Sequence, residues 1–269
     1  MANLGYLQLT RLCNQACRFC SNPERDATLA IEDARAQIDE FAALDYGGVI
    51  LTGGEPTLHE DLADIIAYAE GVGLQSRIIT NGQKTADPEY LGALAAAGLR
   101  IMHVSLHSCR ADVQAFLTDN PDSLRNIERT LAHAAGLDMN VIVNTVINAY
   151  NADHLHENAQ WVADRFPHVR HFVWNYIDPT MNRAGENPDT LPNLPGVELS
   201  LHRAMLFVHE SGRTFRVERV PLCFMVEFAH CSTETRKIIK GEERYVRFLD
   251  ERGVVRQSEC AYDKAACCE

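Results

Sequence analysis

The chain has 269 residues, 46% of them hydrophobic, and a formal net charge of −12. That length suits one α/β barrel-type domain, alone or with a small appendage. No run approaches the roughly 18 apolar residues of a membrane span, an acidic surface repels phosphate backbones, and the N-terminus lacks a basic segment followed by an apolar one, so the expectation is a cytoplasmic protein with neither a membrane nor a nucleic acid as partner.

Residues 5–10 alternate as a strand and deliver the loop that holds Cys13, Cys17 and Cys20. Residues 29–45 carry Ala34, Ile38, Phe41 and Ala42 at helical spacing and stop at Gly47-Gly48. Residues 49–52 are continuously apolar, as in a strand buried on both faces of a parallel sheet. They run into Gly53-Gly54-Glu55-Pro56, and a helix follows over 61–70. A third strand, 75–79, ends in Thr80-Asn81-Gly82. Asp87-Pro88 reads as an N-cap with a first-turn proline, and Gly98 closes that helix. Strands follow at 101–106, 139–147 and 171–177, separated by helices at 122–135 and 152–165. Six strand–helix units imply a parallel sheet with right-handed crossovers. Residues 178–195 read as a loop or linker, and 197–210 as a helix before a strand at 214–217 and a cysteine-bearing tail.

Nine cysteines in a reducing compartment point to metal ligation before disulfides. Three thiolates occupy three corners of a four-iron cube and leave the fourth iron open. A structural zinc is the alternative, although zinc prefers four ligands in two pairs and no fourth Cys or His adjoins this triplet. The cysteine loop, Gly53–Pro56 and Thr80–Gly82 all follow strands, with Ser105 and Asn144 at or near the ends of the next two. In parallel α/β folds ligands bind along that rim. Taken singly, each glycine-containing motif is also an ordinary turn, and Ser105 and Asn144 can simply satisfy strand-end backbone groups. His103 shares the parity of Ser105, and Trp174, Asn175, Tyr176 and Asp178 end the sixth strand, where they serve either a pocket or the core.

The ordered set Cys13-x3-Cys17-x2-Cys20 with Phe19, then Gly53-Gly54-Glu55-Pro56, Thr80-Asn81-Gly82 and Val104-Ser105-Leu106 resembles the radical S-adenosylmethionine (radical SAM) enzymes over about residues 5–177. The resemblance implies a partial (β/α)6 TIM-like barrel over 1–195. It implies that Cys13, Cys17 and Cys20 ligate a [4Fe–4S] cluster and that S-adenosylmethionine chelates the fourth iron. Gly53, Gly54 and Glu55 would receive the methionine amino group, Asn81 and Ser105 the ribose or carboxylate, with Asn144 on the same rim and Phe19 near the adenine. The implied chemistry is reductive cleavage to a 5′-deoxyadenosyl radical that abstracts a substrate hydrogen, with flavodoxin or ferredoxin as electron donor. The sequence departs from the family pattern after Ser105-Leu106, where the usual Asp or His followed by Gly is His107-Ser108.

Cys223, Cys231, Cys260, Cys267 and Cys268 resemble the SPASM or twitch extensions that hold auxiliary iron–sulfur clusters, which makes 196–269 a candidate extension domain. Spacings of seven, twenty-eight and six residues do not reproduce the usual Cys-x2-Cys-x5-Cys core, so either a shortened auxiliary site or a missing last segment is expected. Extended members often modify ribosomally made peptides, the leading expectation here. With the motif starting at Cys13, no leader-binding domain is expected before it, and a separate peptide-recognition protein would be needed. The alternatives are a radical enzyme acting on a small metabolite and a non-catalytic iron–sulfur electron carrier.

Overall fold

The structure, a computed structural model, describes residues 3–22, 26–179 and 182–235, with the strands at 244–247 and 255–256. Strands β1 (Leu4–Thr10), β2 (Gly48–Gly53), β3 (Gln75–Thr80), β4 (Ile101–Ser105), β5 (Asn140–Ile147), β6 (His171–Tyr176) and β7 (Thr214–Glu218) pair in parallel, each with the next. On the far flank of β1, β8 (Arg244–Arg247) pairs in parallel and β9 (Val255–Arg256) pairs antiparallel with β8. The crossovers carry α1 (Ile31–Ala43), α2 (Leu62–Gly71), α3 (Pro88–Ala96), α4 (Ala111–Thr118), α5 (Ser123–Ala134), α6 (Leu155–Arg165), α7 (Asn182–Glu186) and α8 (Leu194–Glu210). This is the expected α/β architecture, with strand boundaries close to the sequence-based ones. Asp87 caps α3 as anticipated, its Oδ1 accepting the Glu89 N–H at 2.9 Å with Pro88 at the first helical position.

Alternate residues of each strand divide between two environments, as period-2 geometry requires. Leu7, Leu9, Val49, Leu51, Ile78, Met102, Val104, Val141, Val143, Phe172, Trp174, Phe215 and Val217 join one core under the helices. The opposite, concave face carries a small separate cluster of Ile101, Ile142 and Val173. On that face stand the polar side chains that share their parity, Arg77, His103, Ser105, Asn144, Asn175 and Arg216.

Three expectations change. Residues 111–118 form a helix, α4, that the sequence did not reveal. The stretch 178–195 is more than a linker, because it contains α7 and a 3-10 turn at Pro188–Thr190. The strand expected at 214–217 is no part of a separate unit: β7 extends the same sheet along β6, so the sheet runs past the boundary expected at 195. Beyond β7 the chain turns back onto the core, where Phe228 packs edge-on against Phe215 (centroids 5.3 Å) and Arg219 N–H donates to Glu234 Oε1 at 2.8 Å.

Candidate functional site

Strand β1 ends at Thr10, whose hydroxyl meets Ala27 O at 3.1 Å and Thr28 Oγ1 at 2.9 Å and accepts the Leu12 N–H at 3.1 Å. The loop that follows holds Cys13 exposed and Cys17 and Cys20 half-buried, none in a disulfide. Its backbone is fixed by α4: the Ala16 and Arg18 N–H groups donate to Thr118 O and Leu117 O at 3.2 and 3.0 Å. On the other side the Arg183 N–H donates to Cys20 O at 3.3 Å, and Arg183 Nη1 to Cys17 O at 3.4 Å. Burial pushes Cys17 far above the usual thiol range, Cys20 and Cys13 push further, and Arg183 opposes them. Although Cys13 as a residue is exposed, partial desolvation of its thiol raises it too, with Glu55 and Cys20 adding to it. Thiols that burial keeps protonated become thiolates when a metal takes the place of the proton.

The glycine pair meets this loop directly. A Cβ on Gly53 (φ +144°) would sit 2.1 Å from Thr10 O, and one on Gly54 would sit 2.2 Å from Leu12 O and 2.6 Å from Arg11 O. The Gly54 N–H donates to Thr10 O at 2.7 Å and the Glu55 N–H to Leu12 O at 2.8 Å. The resemblance implies that these glycines receive the methionine amino group; in the structure they clear room for the cysteine loop's own backbone.

Glu55 is 1% exposed. Its Oε1 accepts from Thr57 N–H (3.2 Å), Thr57 Oγ1 (2.7 Å) and Thr80 Oγ1 (2.7 Å), and its Oε2 from the Asn81 N–H (2.7 Å). Burial raises its pKa while these four hydrogen bonds pull it down. The carboxylate expected to receive an amino group is thus engaged within the protein, where it bolts the Gly53–Pro56 turn to the Thr80–Gly82 turn. Asn81 then reaches the cysteines: its Nδ2 donates to Asn14 Oδ1 at 2.7 Å and lies 3.8 Å from Cys13 Sγ.

Ser105 and Asn144 share one register row across β4 and β5, both half-buried. Asn175 Nδ2 donates to Asn144 Oδ1 at 2.6 Å. Phe19 is buried beside Leu117, Ile177 and Ala184, its ring edge-on to His107 at 4.6 Å. His107 Nδ1 accepts the Val146 N–H at 3.2 Å, and burial lowers that histidine to about 3. Ser108 takes the place of the usual glycine and closes the turn with its hydroxyl, which meets His154 Nε2 at 2.8 Å and accepts the Arg110 N–H at 3.0 Å. The strand-six candidates divide: Trp174 belongs to the core, Asn175 to the concave face, and Tyr176 donates to Pro192 O at 2.9 Å.

The residues that sequence reading missed are polar and buried. Gln114 of α4 accepts the His107 and Ser108 N–H groups, each at 2.9 Å, and donates to Ser123 Oγ at 2.9 Å; Gln15 of the cysteine loop donates to the same hydroxyl at 3.1 Å. Two glutamines and a serine therefore couple the loop after β4 to the cysteine loop. Among the tail cysteines, Cys223 is exposed and Cys231 packs half-buried against the core. Cys260, Cys267 and Cys268 lie outside the described residues.

Comparison with known proteins places this geometry. Over 196 residues the chain is 31% identical to the PqqA peptide cyclase of Xanthomonas campestris pv. campestris (68% of this chain, 50% of the relative). It is 29% identical over 191 residues to that of Methylocella silvestris (67% and 50%). The chain spans about half the length of the curated relatives it matches. Streptococcus suis SuiB bound to precursor peptide SuiA superposes with a TM-score of 0.67 at 13% identity, over 91% of this chain and 58% of SuiB. The anSMEcpe protein with bound AdoMet and Kp18Cys peptide gives 0.67 at 13% identity, over 89% and 67%. At such identities the two structures establish the fold alone, a partial barrel. The model of the Radical SAM superfamily matches residues 7–162, more than half of the chain, and the chain belongs to that superfamily.

Proposed function

We propose that the chain uses a [4Fe–4S] cluster and S-adenosylmethionine to modify a ribosomally made peptide by radical chemistry. The observation that carries this reading is the convergence of Cys13, Cys17 and Cys20 with the Gly53–Pro56 and Thr80–Gly82 turns on one rim, joined by Glu55 and Asn81. The donor set fits a cluster with an open iron: three soft ligands with no disulfide partner, the first of them exposed. Cys13, Cys17 and Cys20 would hold it, and Gly53, Gly54, Asn81, Ser105, Asn144 and Phe19 would frame S-adenosylmethionine. When bound, the cluster supplies the electron that cleaves the sulfonium and so provides the 5′-deoxyadenosyl radical.

The protein's own residues then position and exclude. The Gln15–Ser123–Gln114 network and Arg183 fix the cysteine loop, Glu55 fixes the two turns, and Phe19 packs edge-on against His107 on one flank. Relatives named as peptide cyclases, and a fold neighbour bound to its precursor peptide, support a peptide substrate. Flavodoxin or ferredoxin is the proposed electron donor, a separate protein the proposed peptide recogniser, and 196–269 the proposed seat of an auxiliary cluster.

The test is anaerobic reduction of the reconstituted protein with S-adenosylmethionine. 5′-Deoxyadenosine forms with the wild type and not with Cys17→Ala, and a mass change appears in a precursor peptide encoded nearby. No cleavage by the wild type returns the protein to an electron carrier; cleavage without any peptide change removes the peptide reading.

A further inference from the structure

The concave face of the sheet carries a charged cluster beyond the residues proposed to frame S-adenosylmethionine. Arg77 of β3, His103 of β4 and Arg216 of β7 share the parity of Ile101, Ile142 and Val173. Arg216 stands in the register row that runs Ser105, Asn144, Val173, Arg216, level with the rim. His103 is 7% exposed, and its Nε2 has no hydrogen-bond partner. Arg77 Nε is also buried without a partner, and its Nη2 reaches Gln75 Oε1 at 3.2 Å. Arg216 Nε lies 3.3 Å from Glu218 Oε1, which the Thr233 hydroxyl also approaches at 3.2 Å. His171 flanks them, its Nδ1 2.8 Å from Thr214 Oγ1.

Burial lowers His103 to about 3, and Arg216, Arg77 and His171 push the same way against Glu218. Burial lowers Arg77 too, with Arg216 adding to it. The Arg77 guanidinium reaches the exposed Gln75 and the Arg216 side chain is 25% exposed, so two partly buried guanidiniums flank His103, with Glu218 beside Arg216. Like charges held on one partly buried face favour an anion between them, and the buried His103 Nε2 has no partner of its own.

We propose that Arg77, His103 and Arg216 form a subsite for a carboxylate group of the substrate. The guanidinium forks match a carboxylate in shape and charge. In its Nε2–H tautomer the imidazole adds a donor, and the Ile101–Ile142–Val173 patch receives the methylenes that carry the carboxylate. The proposal takes its ligand from the peptide reading and does not depend on the cluster. An acidic side chain and a peptide C-terminus offer the same group.

Equilibrium dialysis of the anaerobically reconstituted full chain against three probes tests it. N-acetylglutamate amide carries a side-chain carboxylate, N-acetylglutamine a terminal one, and N-acetylglutamine amide none. At least one carboxylate probe binds ten-fold or more tightly than the neutral one, and the tighter of the two identifies the source. Arg77→Gln and Arg216→Gln each erase that preference. Glu218→Gln removes the competing carboxylate and strengthens it several-fold, a gain that a damaged fold does not produce. Equal binding of all three probes, no binding of any, or a preference that survives both arginine substitutions overturns the proposal. Because no cleavage of S-adenosylmethionine is read, a chain that binds carboxylate yet makes no 5′-deoxyadenosine keeps this subsite while losing the radical-enzyme reading.

Discussion

Glu55 shows how one side chain can serve a site from behind it. Each carboxylate oxygen takes one backbone N–H, Thr57 on Oε1 and Asn81 on Oε2. Glutamine offers one acceptor oxygen, so in Glu55→Gln one of those N–H groups faces an amide NH2. Leaving a buried donor unmet costs about 1–3 kcal/mol, and a fall of that size is expected in chemical denaturation of the variant. His107 yields a pH prediction. Its pKa is about 3 when folded, against about 6.5 in an unfolded chain. Below pH 6.5 the unfolded state takes up a proton that the folded state refuses. The contribution of the neutral ring is therefore complete above 6.5 and is lost as pH falls toward 3, by about 1.4 kcal/mol per pH unit. In His107→Asn, whose Oδ1 can accept the Val146 N–H, stability between pH 6 and 4 should depend on pH less steeply by about that amount, whatever the offset from lost packing.

At the scale of elements, the cysteine loop is held by parts of the chain far from it in sequence. Helix α4 takes its backbone on one side and α7 on the other, while the β2 turn packs beneath. Gly54→Ala places a Cβ within 2.2 Å of Leu12 O, and no flexible side chain is there to yield. The expected result is a chain with unchanged far-ultraviolet circular dichroism that keeps far less iron than the wild type after anaerobic reconstitution. Wild-type iron content would show that the loop tolerates the shift. Helix α4 escaped sequence reading because its pattern is inverted: Gln114 is fully buried and Phe116 is 39% exposed under the Arg18 guanidinium, 4.2 Å from its ring centroid. A polar residue facing inward and an aromatic facing outward erase the apolar stripe on which periodicity depends. Helix α7 has five residues, too few for a period, and its role lies in backbone contacts with Cys20 and Cys17.

For the whole molecule, ligand binding should couple to folding. At about one hundred times its dissociation constant, S-adenosylmethionine stabilises a chain that binds it only when folded by about 2.7 kcal/mol. Anaerobic melting of the cluster-loaded protein should show the matching rise in transition temperature, and Cys17→Ala should show none. The strand–helix alternation and the rim were legible from the sequence because apolar periodicity and glycine turns are local signals, written within a few residues. That the cysteine loop and both turns follow the C-terminal ends of neighbouring parallel strands was legible from strand order alone. The tertiary structure decided what local signals cannot carry: that the glycines yield to backbone, that Glu55 turns inward, that β7 extends the sheet along β6, and that Arg77, His103 and Arg216 stand on one face of it. Those facts depend on contacts between residues that lie up to about half the chain apart, and only packing brings such residues together.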